Sequence, residues 1–297
     1  MNYIKRSLLW FFFSIVYLYA IAQDHSNFLL PAPIIHEQIV NHKGYTLSYN
    51  ENHEQANWVA YELTTEETNS HFKRTNRFMQ DPLIATGSAD NADYSKSGYD
   101  RGHLAPAADM GWSAQSMSES FYYSNMSPQQ PSFNRGIWKR AEEFTRQAAI
   151  DNKVIYIVSG PVLAKNLPTI GHNQVAVPAY YFKVLLDNTL PQIKAIAFII
   201  PNRSSQLSLQ HYAVTINEVE KLTGIDFFPA LPDDQEELLE GSIDLGQWFS
   251  VSPSFNNIKT LSNNKHSIST QCSGITKNAK RCKNKTKNLS GLCYLHQ

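Results

Sequence analysis

The chain has 297 residues and only three cysteines, all of them in its last 27 residues. Disulfides therefore do not staple the body, which has to rely on an apolar core. Acidic residues are absent before Asp24 and after Asp244. Between those limits 26 acids face 16 lysines and arginines, a formal charge of −10, whereas residues 245–297 carry +8. The overall net charge of zero describes neither part. Long apolar runs are missing beyond the N-terminus. Ile196 to Pro201 is a short buried-strand pattern, too brief for a span of about 20 residues. Apolar content of 42% and aromatic content of 12% exclude disorder along the whole chain.

What is present begins with a basic pair, Lys5 and Arg6, an apolar run from Leu8 to Ile21, and Ala20-Ile21-Ala22. That order reads as a secretory signal peptide over residues 1–22, cleaved after Ala22, and leads to the expectation of a secreted or periplasmic protein. Residues 23–40 read as a polar lead-in. Alternating apolar residues at 45–49 and 58–63, separated by Asn50-Glu51-Asn52-His53, predict a hairpin. Residues 64–98 are polar and irregular. A helix is expected at 113–120, a strand at 121–126 ending in Ser127-Pro128-Gln129, and a helix from about 134 to 150. Strands follow at 154–158, 180–186 and 193–200, then helices at 208–222, before Gly224, and at 233–240. Strands interspersed with helices without strict alternation indicate an α+β fold. The main domain is expected at 41–248, a linker rich in Ser and Asn at 249–270, and a small basic module at 271–297.

The stretch richest in chemistry is Ser97-Gly98-Tyr99-Asp100-Arg101-Gly102-His103-Leu104-Ala105-Pro106. His103 has an unperturbed pKa near neutrality and can accept a proton at working pH. Arg101 offers a planar fork of donors suited to phosphate oxygens. Gly102 permits a backbone bend that a β-carbon would hinder. Taken alone, Asp-Arg-Gly-His is equally a surface turn closed by an ion pair. Two further groups shift the balance: Ser124-Asn125-Met126-Ser127-Pro128-Gln129, and Asn134, Trp138 and Glu142 at i, i+4 and i+8. On a helix these last three share roughly one face, and an Asn and a Glu two turns apart can bracket a hydrated cation. Trp138 reads as core, and Asp100 as a residue that orients a neighbour or pairs locally and does not ligate metal.

In these residues, with Phe121-Tyr122 and Ser159-Gly160-Pro161, the chain resembles the DNA/RNA non-specific endonucleases of the ββα-metal, or His-Me finger, class. The likeness covers roughly residues 40–245. It implies a central mixed or antiparallel sheet flanked by helices, and Mg²⁺-dependent hydrolysis of DNA and RNA with little sequence preference, Mn²⁺ being able to substitute. It also implies roles. His103 would be the general base, Asn134 the direct protein ligand of Mg²⁺, and Glu142 a holder of metal-bound water. Asn125 would orient His103 or support the metal site, and Arg101 would contact phosphate or lie near the site. Arg74, or its neighbour Arg77, would stabilise the charged phosphorane. Members of the family are often dimers, so a homodimer is one expected assembly. The acidic body confines attraction to nucleic acid to a local cationic groove or to the tail. The rival readings are an inactive nucleic-acid-binding protein and an envelope-associated protein.

In the tail, Cys272, Cys282, Cys293 and His296 form a set suited to tetrahedral Zn²⁺. An exported chain could instead pair two of the cysteines in a disulfide.

Overall fold

The computed structural model describes residues 29–249, 270–271, 276 and 282–286. The expected signal peptide lies outside them. The chain divides into two units, residues 1–250 and 251–297.

The first unit is built on a seven-stranded sheet, antiparallel at every pairing. Its strands are β1 (Gln38–Asn41), β2 (Thr46–Asn50), β3 (Gln55–Thr64), β6 (Val154–Pro161), β9 (Tyr180–Asp187), β10 (Lys194–Pro201) and β11 (Ala213–Val214), side by side in that order. The central strands are covered on both faces, so they read as nearly continuous apolar runs. Alternate residues go to opposite layers. Val59, Tyr61, Leu185 and Phe198 pack with Ile137, Trp138 and Ala141 on one face. Trp58, Ala60, Val184 and Ala197 pack with Ile216, Val219 and Phe227 on the other.

A two-stranded ribbon of β4 (Asp100–His103) and β5 (Met126–Gln129) stands apart from this sheet, and a second pairs β7 (Thr169–Ile170) with β8 (Val175–Ala176). The strand expected at 121–126 is displaced. Tyr123–Asn125 form a 3₁₀ turn, and the ladder begins at Met126. The cause is Asn125, whose buried side chain bonds backbone groups of Ala105 and Ser120 and so holds a turn in place of an extended strand. Pro128 can sit in β5 because this ribbon has free edges.

The helix expected from about 134 is broken at its start. A short α1 (Asn91–Tyr94) and α2 (Ala114–Glu119) precede it, and α3 covers only Pro131–Phe133. Asn134–Trp138 form a π-helical turn with Gly136 at φ −109° and ψ −107°, and α4 runs from Lys139 to Asn152. The expected helix at 208–222 is also shorter. Leu209–Tyr212 form a 3₁₀ turn, β11 joins the sheet, and α5 spans Ile216–Thr223. Thr215 sets the start of α5 through a capping box with Glu218, and Gly224 ends it at φ 72°. Next come α6 (Asp233–Gly241) and α7 (Leu245–Trp248). No helix among the described residues is long and apolar enough to cross a membrane.

In the second unit β12 (Thr270–Gln271) pairs with β13 (Lys285–Thr286). Gln271 donates to the backbone carbonyl of Cys282, which is buried. Cys272, Cys293 and His296 lie outside the described residues, so the zinc expectation gains no support here.

Candidate active site

Register on the ribbon sorts the motif residues. Side chains alternate along β4, so Arg101 and His103 share one side and Asp100 and Gly102 the other. Gly102 is needed for a different reason than a bend. The strand is straight and fully paired, but a β-carbon at Gly102 would fall 2.1 Å from Cδ of Gln129. The Gln129 side chain crosses the strand at that point.

His103 is 7% exposed. Its ring meets Phe121 edge-on at 5.0 Å and lies 6.0 Å from Phe78. Its carbonyl accepts a hydrogen bond of 3.2 Å from the indole of Trp138, which fastens β4 to the helix carrying Glu142. Nε2 is buried and receives no hydrogen bond among the described residues. Burial, and then the charge of Arg74, push the imidazole down to about 3, so it is neutral in ordinary buffers. A neutral imidazole has a lone pair to take a proton, and nothing here occupies it.

Arg74 is drawn to the same place. Its guanidinium lies 5.0 Å over the Phe121 ring, the ring that supports His103. It donates through Nε to Asn76 at 2.7 Å. Burial lowers its pKa, and the negative charge of Glu142 opposes that shift. Of the two expected arginines, Arg74 is the one whose charge acts on His103 and Glu142. Arg101 is held more tightly. It donates to the Tyr123 hydroxyl at 2.9 Å and to Asn91, and its guanidinium stacks 5.1 Å from the Phe78 ring.

Asn134 begins the π-helical turn. Its Nδ2 donates to Asp100 Oδ2 at 2.9 Å, and Arg135 grips both oxygens of Asp100 at 2.9 and 2.7 Å. An ionised carboxylate only accepts, so Asp100 fixes the amide nitrogen toward itself. The amide oxygen is turned away and has no donor among the described residues.

Glu142, in the first turn of α4, is half-buried. Burial raises its carboxyl, an effect countered by Lys183 and reinforced by Asp109. Lys183 is wholly buried, donates to Ser159 Oγ at 2.7 Å, and lies 4.8 Å over the Trp138 ring. Burial lowers its pKa. Asp109, also buried, accepts from Arg146 and from Tyr61, each at 2.8 Å. This network behind Glu142 was not anticipated from sequence. Arg146, four residues after Glu142, was the available signal.

Asn125 is not turned toward the His103 ring. Its amide accepts from the Ala105 N–H and donates to the carbonyls of Ala105 and Ser120, all at 2.9 Å. It clamps the chain just after His103. His172 has a nitrogen 3.2 Å from Asp93, beside the helix that holds Asn91.

A residue set of imidazole, amide oxygen, carboxylate and guanidinium can deprotonate water, bind a hard cation and receive charge on a phosphate. Comparison with known proteins gives the family. The model of the DNA/RNA non-specific endonuclease family matches residues 27–234. The mitochondrial nuclease EXOG of Danio rerio is 35% identical over 208 residues, 64% of this chain and 61% of its own. Mitochondrial endonuclease G of Bos taurus is 33% identical over 65% of this chain and 69% of its own. The crystal structure of the EndoG/EndoGI complex superposes with a TM-score of 0.62 at 30% identity, covering 66% of this chain and 88% of that one. The match thus spans about three fifths of the EXOG relative.

These relatives also correct one expectation. EXOG and endonuclease G are mitochondrial nucleases, so the secreted or periplasmic placement drawn from residues 1–22 does not stand. A basic pair before an apolar run is an address read by a receptor, and charge and hydropathy alone do not name the compartment.

Proposed function

Since the chain belongs to the DNA/RNA non-specific endonuclease family, we propose that it is a metal-dependent endonuclease that hydrolyses phosphodiester bonds of DNA and RNA with little regard to base sequence. The observation that carries this reading is the neutral, uncommitted His103 beside Arg74. His103 takes the proton of the attacking water. Arg74 faces the charge that builds on the non-bridging oxygens. Arg101, locked by Tyr123, Asn91 and Phe78, contacts a flanking phosphate without reorganising. Lys73, Arg74 and Arg77 are all exposed on the segment before the ribbon. They supply the local cationic surface that an acidic body needs in order to bind a polyanion. Contacts to the backbone, not to base edges, leave base sequence unread.

Mg²⁺ is the ion the family implies, and the residues fit it. The uncommitted oxygen of Asn134 and the half-buried carboxylate of Glu142 are hard donors, and so few protein ligands suit an ion that keeps most of its water. Asn134 would hold the ion directly and Glu142 would hold its water. When bound, the ion neutralises phosphate charge and assists departure of the leaving oxygen. Mn²⁺ has the same preference for oxygen. The basic tail is a second attachment to substrate, in keeping with its formal charge of +8.

The test is digestion of supercoiled plasmid and of RNA with and without Mg²⁺, using wild type and His103→Ala. Metal-dependent cleavage of both substrates by wild type, lost in the variant, is the expected result. An unaffected His103→Ala enzyme would overturn the mechanism. Binding without cleavage in any metal would make this an inactive nucleic-acid-binding protein.

A further inference from the structure

On the sheet face opposite Trp138, α5 and α6 bring acidic side chains together. Glu220 comes from α5, Asp226 from the segment after it, and Glu236 and Glu240 from successive turns of α6. One carboxylate oxygen each from Glu220, Asp226 and Glu240 lies within 4.8 Å of the others. Among the described residues no lysine, arginine or histidine forms an ion pair with any of the four.

A crowd of acids on a surface would mean nothing, because water solvates it. This one is different in its depth. Glu240 is 8% exposed, and its Oε1 is buried with no hydrogen-bond partner. Oε1 of Glu236 is buried and unpartnered as well. Native structures rarely leave such atoms unsatisfied, since each costs about 1–3 kcal/mol or more. Glu220 is positioned from behind, with Oε1 accepting the Phe227 N–H at 2.9 Å. The charged state is penalised accordingly. Burial, then Glu220, Glu236 and Asp226, push Glu240 up to about 8.

We propose that Glu220, Asp226 and Glu240, with Glu236 beside them, form a divalent-cation site that ties α6 to α5 and to the 225–231 segment. All the donors are carboxylate oxygens, which selects a hard cation. Among hard cations Ca²⁺ accepts several carboxylates in flexible geometry, whereas Mg²⁺ gives up its water reluctantly. Three carboxylate oxygens within 4.8 Å of one another are close enough to converge on one such ion after small side-chain shifts. The site is structural and separate from the chemistry at His103, because α5 and Trp138 belong to different cores on the two sheet faces.

The experiment uses the full-length chain carrying Asn134→Ala, which removes the metal ligand proposed for the nuclease site. After chelation and dialysis the protein is titrated with CaCl₂ by calorimetry, and its Tm is followed in parallel. The expected result is a single-site isotherm and a rise in Tm of several degrees, with Mg²⁺ giving a weaker response. Adding Glu240→Gln should abolish both. That variant should still fold without metal, because glutamine matches the shape of the protonated glutamate, and circular dichroism checks it. No calcium response, or an unchanged response in Glu240→Gln, overturns the site. A Tm that falls as pH rises towards 8 with no calcium effect would mean that Glu220 and Glu240 share a proton instead. Neither failure touches the nuclease reading, which stands or falls on plasmid digestion by the unmodified chain.

Discussion

Asp100 accepts a 2.9 Å hydrogen bond from the side-chain amide of Asn134, a residue 34 positions later on a different element. The first residue of the Asp-Arg-Gly-His motif thus acts on the helix and not on its own ribbon. Arg135, the next residue, closes on both oxygens of the same carboxylate. Asp100 therefore determines which end of the Asn134 amide is left free for the metal proposed above.

Replacing Asp100 with Ala should release that amide. Partners that orient metal ligands typically contribute 10–100-fold in affinity or activity. The half-saturating Mg²⁺ concentration for plasmid cleavage should rise by about that factor, while Tm changes little. The Arg135 side chain is 73% exposed, so the ion pair itself adds little stability. An unchanged Mg²⁺ dependence would remove Asp100 from the site.

Gly102→Ala tests the crossing of Gln129 over the ribbon. A β-carbon there lies 2.1 Å from Gln129 Cδ, in a wholly buried setting. Overpacking of this kind costs about 1–3 kcal/mol. Denaturant unfolding should show that loss, and Gly102→Ala combined with Gln129→Ala should recover part of it. Equal instability of the single and double variants would mean that backbone freedom, not space, requires the glycine.

Much of this was readable from the chain. The strands at β6, β9 and β10 stand where their apolar runs put them, because strands covered on both faces need nothing else. Two boundaries moved where a side chain bonded backbone. Asn125 turned the chain before β5, and Thr215 with Glu218 started α5 late. The regular helix expected from Asn134 is interrupted at Gly136, whose dihedral angles no periodicity encodes. Trp138 went to the core, as its size suggests. The partnership of Asp100 with Asn134, and the placing of Lys183 behind Glu142, depend on long-range packing. Local sequence carries no record of either.

His103 makes stability depend on pH in a stated direction. Its folded pKa is about 3, below the 6.5 of an unperturbed imidazole. The unfolded chain therefore binds more protons between those values, and stability present above pH 6.5 is lost as pH falls towards 3. The slope from this one group is about 1.4 kcal/mol per pH unit. Comparing wild type with His103→Phe over pH 4–8 isolates it, because the phenylalanine variant should lack that part of the slope. Nuclear magnetic resonance gives a second measure. The His103 Cε1 signal should hold still from pH 8 to 5. A His103 signal titrating near 6.5 would show that the ring is solvated.

Lys183→Met should be costly despite a good match of shape. The ammonium is buried with Ser159 and Trp138 and is the cation nearest in influence to Glu142. Removing one partner of a buried charge network costs about 3–5 kcal/mol, because the opposite charge is left behind. Unfolding free energy should drop by that order. Lys183→Met combined with Glu142→Gln should lose less than the single lysine variant. Additive losses would mean that the two residues do not interact.

Arg74→Ala and Arg77→Ala separate charge at the site from charge nearby. Arg74 rests over Phe121, and its charge acts on both His103 and Glu142. Arg77 has neither relationship. A donor facing transition-state charge is typically worth 10²–10³-fold in kcat. Arg74→Ala should lose about that much with KM little changed. Arg77→Ala should chiefly weaken substrate binding, raising KM and reducing its dependence on salt. Arg74→Ala should also free the imidazole of a neighbouring positive charge, so the His103 pKa should rise from its depressed value. That rise, measured by the Cε1 titration, shows that the guanidinium charge reaches the ring. Equal kcat losses in the two variants, or an unmoved histidine, would assign the phosphate contact to a different cation.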